Sequence, residues 1–339
     1  MSFNLSREIG KLVPRPRSAP PQGGNKAGGS NEGPVITGGT RVDCRPVLQL
    51  NALPMTLSPA TYRNAHSSAN PNGSYTALYA FSQLADVIPG FAEYFSPSLS
   101  TVSSVYESVV RGASIDAGGS FAAQTFASAQ KLFNDAALAN MDGIPDTWYP
   151  AYATPVDWYD TDDPGRFSDI AIDLSGTTGA NDGPYQILHP GREKLVLHAP
   201  GNGVARAVPI DPATSLQSVK FKYLEVVLDR PWLKFDIFSQ AGWSIGGQEP
   251  GYLSSGDTDE NAGVMPLITT SLLVGVSVQL EAQWSAKDQQ VLDSAQQAGE
   301  HASVGPFVVN RDANESPQSA GLHVIGWVSQ LVPFAPRTR

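Results

Sequence analysis

Cysteine is nearly absent from this 339-residue chain, which holds a single thiol at Cys44. One thiol allows neither an intrachain disulfide nor a thiolate metal site within one chain, so a disulfide scaffold is excluded. Charge is scarce too. Asp, Glu, Lys and Arg make up 16% of the residues, against roughly 25% in an ordinary soluble domain. The longest apolar stretch, Pro266 to Leu280, is broken by Thr, Ser and Gln, short of the ~18 uninterrupted residues that span a membrane. Met1 to Lys11 is polar and charged and lacks the apolar core of a secretory signal. These absences predict a protein without membrane segments, cytoplasmic or exported by a leaderless route. The five histidines, His66, His189, His198, His301 and His323, share no H-x-H or H-x-x-x-H spacing, and neither GxxxxGK[ST] nor GxGxxG occurs. Zinc and a phosphate cradle of the standard kinds are therefore not expected.

Glycine (32) and proline (27) are plentiful and concentrate in residues 13–40. Proline lacks a donor and glycine loses the most backbone freedom on ordering, so this stretch reads as an extended Pro/Gly-rich arm over 1–45. The arm is also basic. Residues 1–50 carry seven Lys/Arg, among them Arg15 and Arg17, and three Asp/Glu, a balance of +4 that leaves −14 on the rest and −10 in total. An acidic body repels phosphate backbones, so nucleic acid is not an expected partner. A basic arm is instead attracted to an acidic body, its own or a neighbour's. On this reading residues 1–40 are dispensable for folding and needed for assembly.

Helical spacing follows over 46–141. Tyr75, Leu78, Tyr79, Phe81, Leu84 and Ile88 form one run, stopped at Pro89-Gly90. Leu99, Val102, Val105, Tyr106, Val109 and Val110 form a second, and Phe121 to Ala137 a third with Ser120 as N-cap. Residues 142–185 form an irregular connector with nine Asp among Trp and Tyr. Residues 186–339 are β-rich. The clearest strand follows Thr270, with Val274, Val276, Val278 and Leu280 on one face and Ser277, Gln279 and Glu281 on the other. The expected fold class is α+β: a helical N-terminal half packed on an antiparallel C-terminal half of sandwich or open-barrel type.

Three constellations point to chemistry. Gly242-Trp243-Ser244-Ile245-Gly246 has the G-x-S-x-G form of a nucleophile elbow, with a strand expected at Lys234–Phe238 before it; Asp257 or Asp259 and His301 or His323 follow in the right chain order. An elbow also needs a helix directly after the serine, and Gly247-Gln248-Glu249-Pro250-Gly251 reads as a turn. Asn140-Met141-Asp142-Gly143-Ile144-Pro145-Asp146 resembles the calcium loops of thrombospondin type 3 and dockerin-like repeats over about nine residues. It departs from them at Leu138 and Tyr149, where oxygen ligands belong. Asp160 and Asp162 begin a similar loop that Pro164 interrupts. The resemblance implies Ca²⁺ at Asp142, Asp146, Asp160 or Asp162, against a default of no cofactor. Trp148, Tyr149, Tyr152, Trp158 and Tyr159 beside the Asp run also describe a sugar cleft or sugar-binding surface. Trp232, after Arg230-Pro231, and Trp243 are candidate interaction residues with Arg15 and Arg17.

These features together predict a non-enzymatic structural or interaction protein that self-associates, its arm contacting neighbouring subunits in a homo-oligomer. The alternatives are a serine hydrolase or carbohydrate-active protein using the Gly242–Gly246 loop or the Asp-rich connector, and a leaderless membrane-active toxin.

Overall fold

The computed structural model describes residues 4–14, 45–117, 119–139, 144, 147–174, 183–199, 203–309 and 321–338. Arg15, Arg17, Cys44, Asp142 and Asp146 lie outside these residues. Among the described residues, six helices, one of them the single turn Pro59–Tyr62, and mostly antiparallel sheets make the fold broadly α+β.

Period-two segments build the main sheet from strands far apart in the chain. They are β1 (Val47–Asn51), β2 (Tyr94–Phe95), β3 (Ser168–Asp173), β6 (Ser215–Asp229), β7 (Leu267–Gln283) and β10 (Leu322–Leu331), and the short strands Tyr152–Thr154 beside β6 and Thr56–Leu57 beside β10 bring the sheet to eight. Their spatial order is β3-β6-β7-β10-β1-β2, and only the β1–β2 pairing in this order is parallel. A smaller antiparallel sheet comprises β4 (Lys194–Ala199), β5 (Gly203–Pro209), β8 (His301–Val304) and β9 (Phe307–Val308), in the order β5-β4-β8-β9. β1 from near the N-terminus pairs with β10 from the C-terminus, and β3 lies inside the expected connector. The chain therefore does not divide into a helical half followed by a β half. A single sheet interleaves both.

The longest strand carries the clearest departure from simple alternation. Lys220 pairs with Gln279 and Lys222 with Val276, so Ser277 and Val278 together oppose Phe221. This β-bulge holds Ser277 at φ 55° and moves every later side chain to the other face. Before it, Leu272, Val274 and Val276 pack with Val226 and Trp327 on one side of the sheet. After it, Val278 and Leu280 join Leu273, Val219 and Phe221 on the opposite side. Val276 and Val278 thus do not share a face, as strict alternation predicts. Gln279 and Glu281 remain exposed, with Glu281 bonded to Lys220.

Most helices begin where a side chain caps them. Ser74 accepts from the Ala77 amide at the start of α2 (Tyr75–Ala85), and Thr101 forms a capping box with Ser104 at α3 (Val102–Gly112). α2 stops at Ala85 because Val87–Pro89 turns into a strand pairing with Pro97–Thr101. Leu99 accordingly sits on that strand, fully exposed, and not on a helix. α4 (Ser120–Ala136) has Gly119 at its N-cap with no side-chain bond, so Ser120 is its first residue and not its cap. α5 (Ala286–Gln297) starts at Ser285, which accepts from Asp288, and packs Leu292 and Ala295 against Leu195, Leu197 and Ala302. Lys234–Phe238 supplies no strand: Phe235–Ser239 is a 3-10 turn. Among the described residues no helix is long and apolar enough to cross a membrane.

The first residues differ most from expectation. Leu5–Leu12 is a helix, α1, capped by the Asn4 side chain, which accepts from the Arg7 amide. Leu5, Ile9 and Val13 are 0%, 0% and 1% exposed within the largest core cluster. The reading of residues 1–40 as wholly dispensable is therefore corrected for 4–14. Spacing of i, i+4, i+8 gives α1 one apolar face, and that face rests on the sheet. Ile9→Ala should weaken its docking by about 3 kcal/mol, the usual cost of truncating a buried aliphatic chain. Amide exchange across residues 5–12 reads this directly; unchanged protection would show that the contact contributes nothing.

Candidate functional site

The seat of α1 is assembled from distant parts of the chain. Its floor includes Leu48 on β1 and the segment 183–187. A side chain at Gly10 would meet Leu48 Cδ2 at 3.4 Å and Ile187 Cδ1 at 3.7 Å, so the helix lies close to both. Gly183 closes the seat at φ +59°, and a Cβ there would sit 2.8 Å from the Gly10 carbonyl oxygen. Both its conformation and its proximity require glycine. Tyr185, itself fully buried, donates its hydroxyl to the Pro14 carbonyl at 2.6 Å, holding the segment that leaves the helix.

Two carboxylates grip the other end. The Leu5 amide donates to Glu193 Oε1 at 2.7 Å, satisfying one of the free donors of the first helical turn. Tyr94 donates its hydroxyl to Glu193 Oε2. Glu93 accepts from the Asn4 side-chain amide through Oε1 and from the Gly191 amide through Oε2, the latter at 2.8 Å. Glu193 is 6% exposed. Burial, aided by the neighbouring Glu93 charge, pushes its carboxyl up to about 6, while the bonds from Tyr94 and Leu5 oppose that rise. Burial and the Glu193 charge push the Tyr94 phenol up strongly. What assembles here is an acceptor for one short amphipathic helix: an apolar floor, a glycine lid and an acidic collar at the N-terminus.

The residues singled out from the sequence fall elsewhere. Ser244 lies in the middle of a short strand, Trp243–Ile245, opposite Ser114 of Ala113–Ile115. The Gln248 amide donates to Ile245, closing a turn, and Gly247 has φ +74°. A flat ladder followed by a turn presents neither the sharp elbow nor the helix N-terminus that the motif requires. His323 is bonded to Thr56 at 3.2 Å, and His301 faces His198 across β4 and β8. One Ser–His hydrogen bond does form, between His198 Nε2 and Ser303 Oγ at 2.8 Å. Ser303 is 0% exposed, so no substrate carbonyl reaches it in this conformation. Asp160 accepts from the Asp162 amide in a local turn, and among the described residues no three His, Cys, Asp or Glu converge on a metal position.

Trp232 and Trp243 are both fully buried. Trp232 donates its indole N–H to Pro150 and packs near Tyr106 and Phe133; Trp243 donates to Gln240 and packs on Phe126. Their rings stabilise the core around α3 and α4 and leave no face free for a partner.

Sequence reasoning missed Glu93, Tyr94, Gly183, Tyr185 and Glu193 because they come from three separate segments with no local motif. It also missed α1, for which a signal was present: Asn4 as a cap, then Leu5, Ile9 and Val13 at helical spacing. No protein-family profile, no curated protein and no solved structure matches this chain.

Proposed function

We propose that this is a non-enzymatic structural or interaction protein that self-associates, the α1 of one copy occupying the seat of another. The observation that carries the reading is the seat itself. A nearly enclosed helix of eight residues, gripped at both ends, is joined to β1 by the thirty residues 15–44, of which eleven are Gly or Pro. Thirty residues can reach about 100 Å when extended, further than a protomer of this size is wide. The same contacts therefore serve in cis or in trans, the condition for exchange of an identical element between copies. The excess of Arg and Lys in this N-terminal region over a body of net −14 favours its approach to a neighbouring copy.

Sedimentation across a wide concentration series tests the reading. The full chain should populate dimers or larger closed assemblies, and Ile9→Asp should shift it to single chains while Trp fluorescence reports a folded body. A wild-type chain that sediments as a monomer at every concentration would overturn self-association altogether.

A further inference from the structure

We infer that Glu193 is a proton-operated lock on the seat of α1, holding the helix more tightly in mild acid and loosening it near neutrality. This deepens the reading of α1 as an exchangeable element and rests on it for its consequence in assembly.

Burial and the adjacent Glu93 carboxylate favour the neutral carboxyl, against the two donors that favour its anion. Glu193 is buried under the first turn of α1. The groups facing its oxygens are the Leu5 amide from α1, the Tyr94 hydroxyl from β2 and, close enough to act on its charge, the Glu93 carboxylate. Arg192 and Lys194, its chain neighbours, are exposed, as the alternation of extended chain dictates. Asn4 and Gly191 occupy the two oxygens of Glu93. With Glu193 protonated, Oε1 still accepts the Leu5 amide, while the new O–H on Oε2 donates to the Tyr94 oxygen. The Glu193–Tyr94 bond survives with its direction reversed, the Tyr94 O–H giving up Glu193 as its acceptor, and a buried negative charge beside another is removed. Protonation thus keeps both contacts of Glu193 and relieves the repulsion within the collar.

The sign follows from linkage. An acid whose docked form titrates near 6, above the ordinary 4.5, binds its proton more tightly when α1 is seated. The extra docking strength is full below about pH 4.5 and is lost as pH rises through 6. Between about pH 7.5 and about pH 5 the docking equilibrium should tighten about eightfold. Exchange between copies conserves the number of seated helices, so acid does not by itself favour the exchanged form. It slows the opening through which exchange proceeds.

The experiment uses the full chain and two readouts. Protection factors of the amides of residues 5–12, which correct for the intrinsic pH dependence of exchange, measure docking whatever the oligomeric state. Mixing donor- and acceptor-labelled populations measures the exchange of copies. For the wild type, protection should rise about eightfold from pH 7.5 to pH 5, and mixing should slow by a similar factor. Glu193→Gln carries an acceptor and a donor in the same places. It should hold α1 at the acid level of protection at both pH values, and a flat profile there supports the lock. If Glu193→Gln keeps the wild-type pH profile, or the wild type has none, the lock is wrong. pH-dependent protection that Glu193→Gln abolishes, in a chain that never mixes or dimerises, would leave the lock standing and remove self-association instead.

Discussion

Arg230→Leu should lower the unfolding free energy by about 3–5 kcal/mol, the cost of removing a buried cation on which two carbonyls and the charge of a buried carboxylate depend. Arg230 is 7% exposed and donates from one terminal nitrogen to the Thr269 carbonyl at 2.6 Å and from the other to the Ala85 carbonyl at 2.5 Å. It thereby bonds the end of α2 to β7. Burial pulls its guanidinium down to about 10, and the charges of Asp86 and Asp229 oppose that fall. It stays protonated at neutral pH and offsets the charge of Asp86. Asp86 in turn accepts the Ser103 amide at 2.9 Å at the start of α3. Leucine would orphan two carbonyls and leave Asp86 buried without its cation. Adding Asp86→Asn, which keeps an acceptor for Ser103, should restore about 1–2 kcal/mol of the loss. Urea unfolding followed by Trp fluorescence measures both. If Arg230→Leu costs under 1 kcal/mol, Arg230 does not organise this junction.

Val278→Asp should be at least as damaging, while deletion of its neighbour Ser277 should be nearly silent. Val278 is 7% exposed among Val219, Phe221 and Leu280, so aspartate there buries an unpaired carboxyl and should cost about 4 kcal/mol or more. Ser277 is the extra residue of the bulge. Removing it leaves Val276 opposite Lys222 and Gln279 opposite Lys220, the pairs already present, with Val278 now directly opposite Phe221. Val278 and Leu280 keep their face, and a residue at φ 55° disappears. The expected cost is under about 1 kcal/mol, the relieved strain offsetting some lost twist. Thermal unfolding of the two variants decides between a bulge and a continuous ladder. In a continuous ladder the deletion would turn Val278 and Leu280 to solvent and unfold the protein.

Local patterns were legible where neighbouring residues settle the matter among themselves. The strands at Lys194–Ala199 and after Thr270 and the helices from Tyr75 and Ser120 lie close to where side-chain period and Gly/Pro punctuation place them, although the second strand already begins at Leu267 and the first helix ends at Ala85, short of Ile88. So does the mixed α+β class. The failure of Ser244 as an elbow was equally readable, since Gly247 to Gly251 offers no helix. The order of the main sheet was not readable, because nothing local says that Val47–Asn51 pairs with Leu322–Leu331 some 270 residues later. The face change at Ser277 is of the same kind. One residue of slippage is silent in a hydrophobic pattern and becomes visible only when Phe221 must oppose two residues at once. The seat of α1 combines both limits. Its helix is written in eight consecutive residues, but the acidic collar that turns it into a candidate site joins Asn4, Glu93, Tyr94 and Glu193 across nearly two hundred. Burial, and with it the raised proton affinity of Glu193, exists only once the chain has closed around them, because desolvation belongs to the surroundings of a carboxyl and not to its neighbours in sequence.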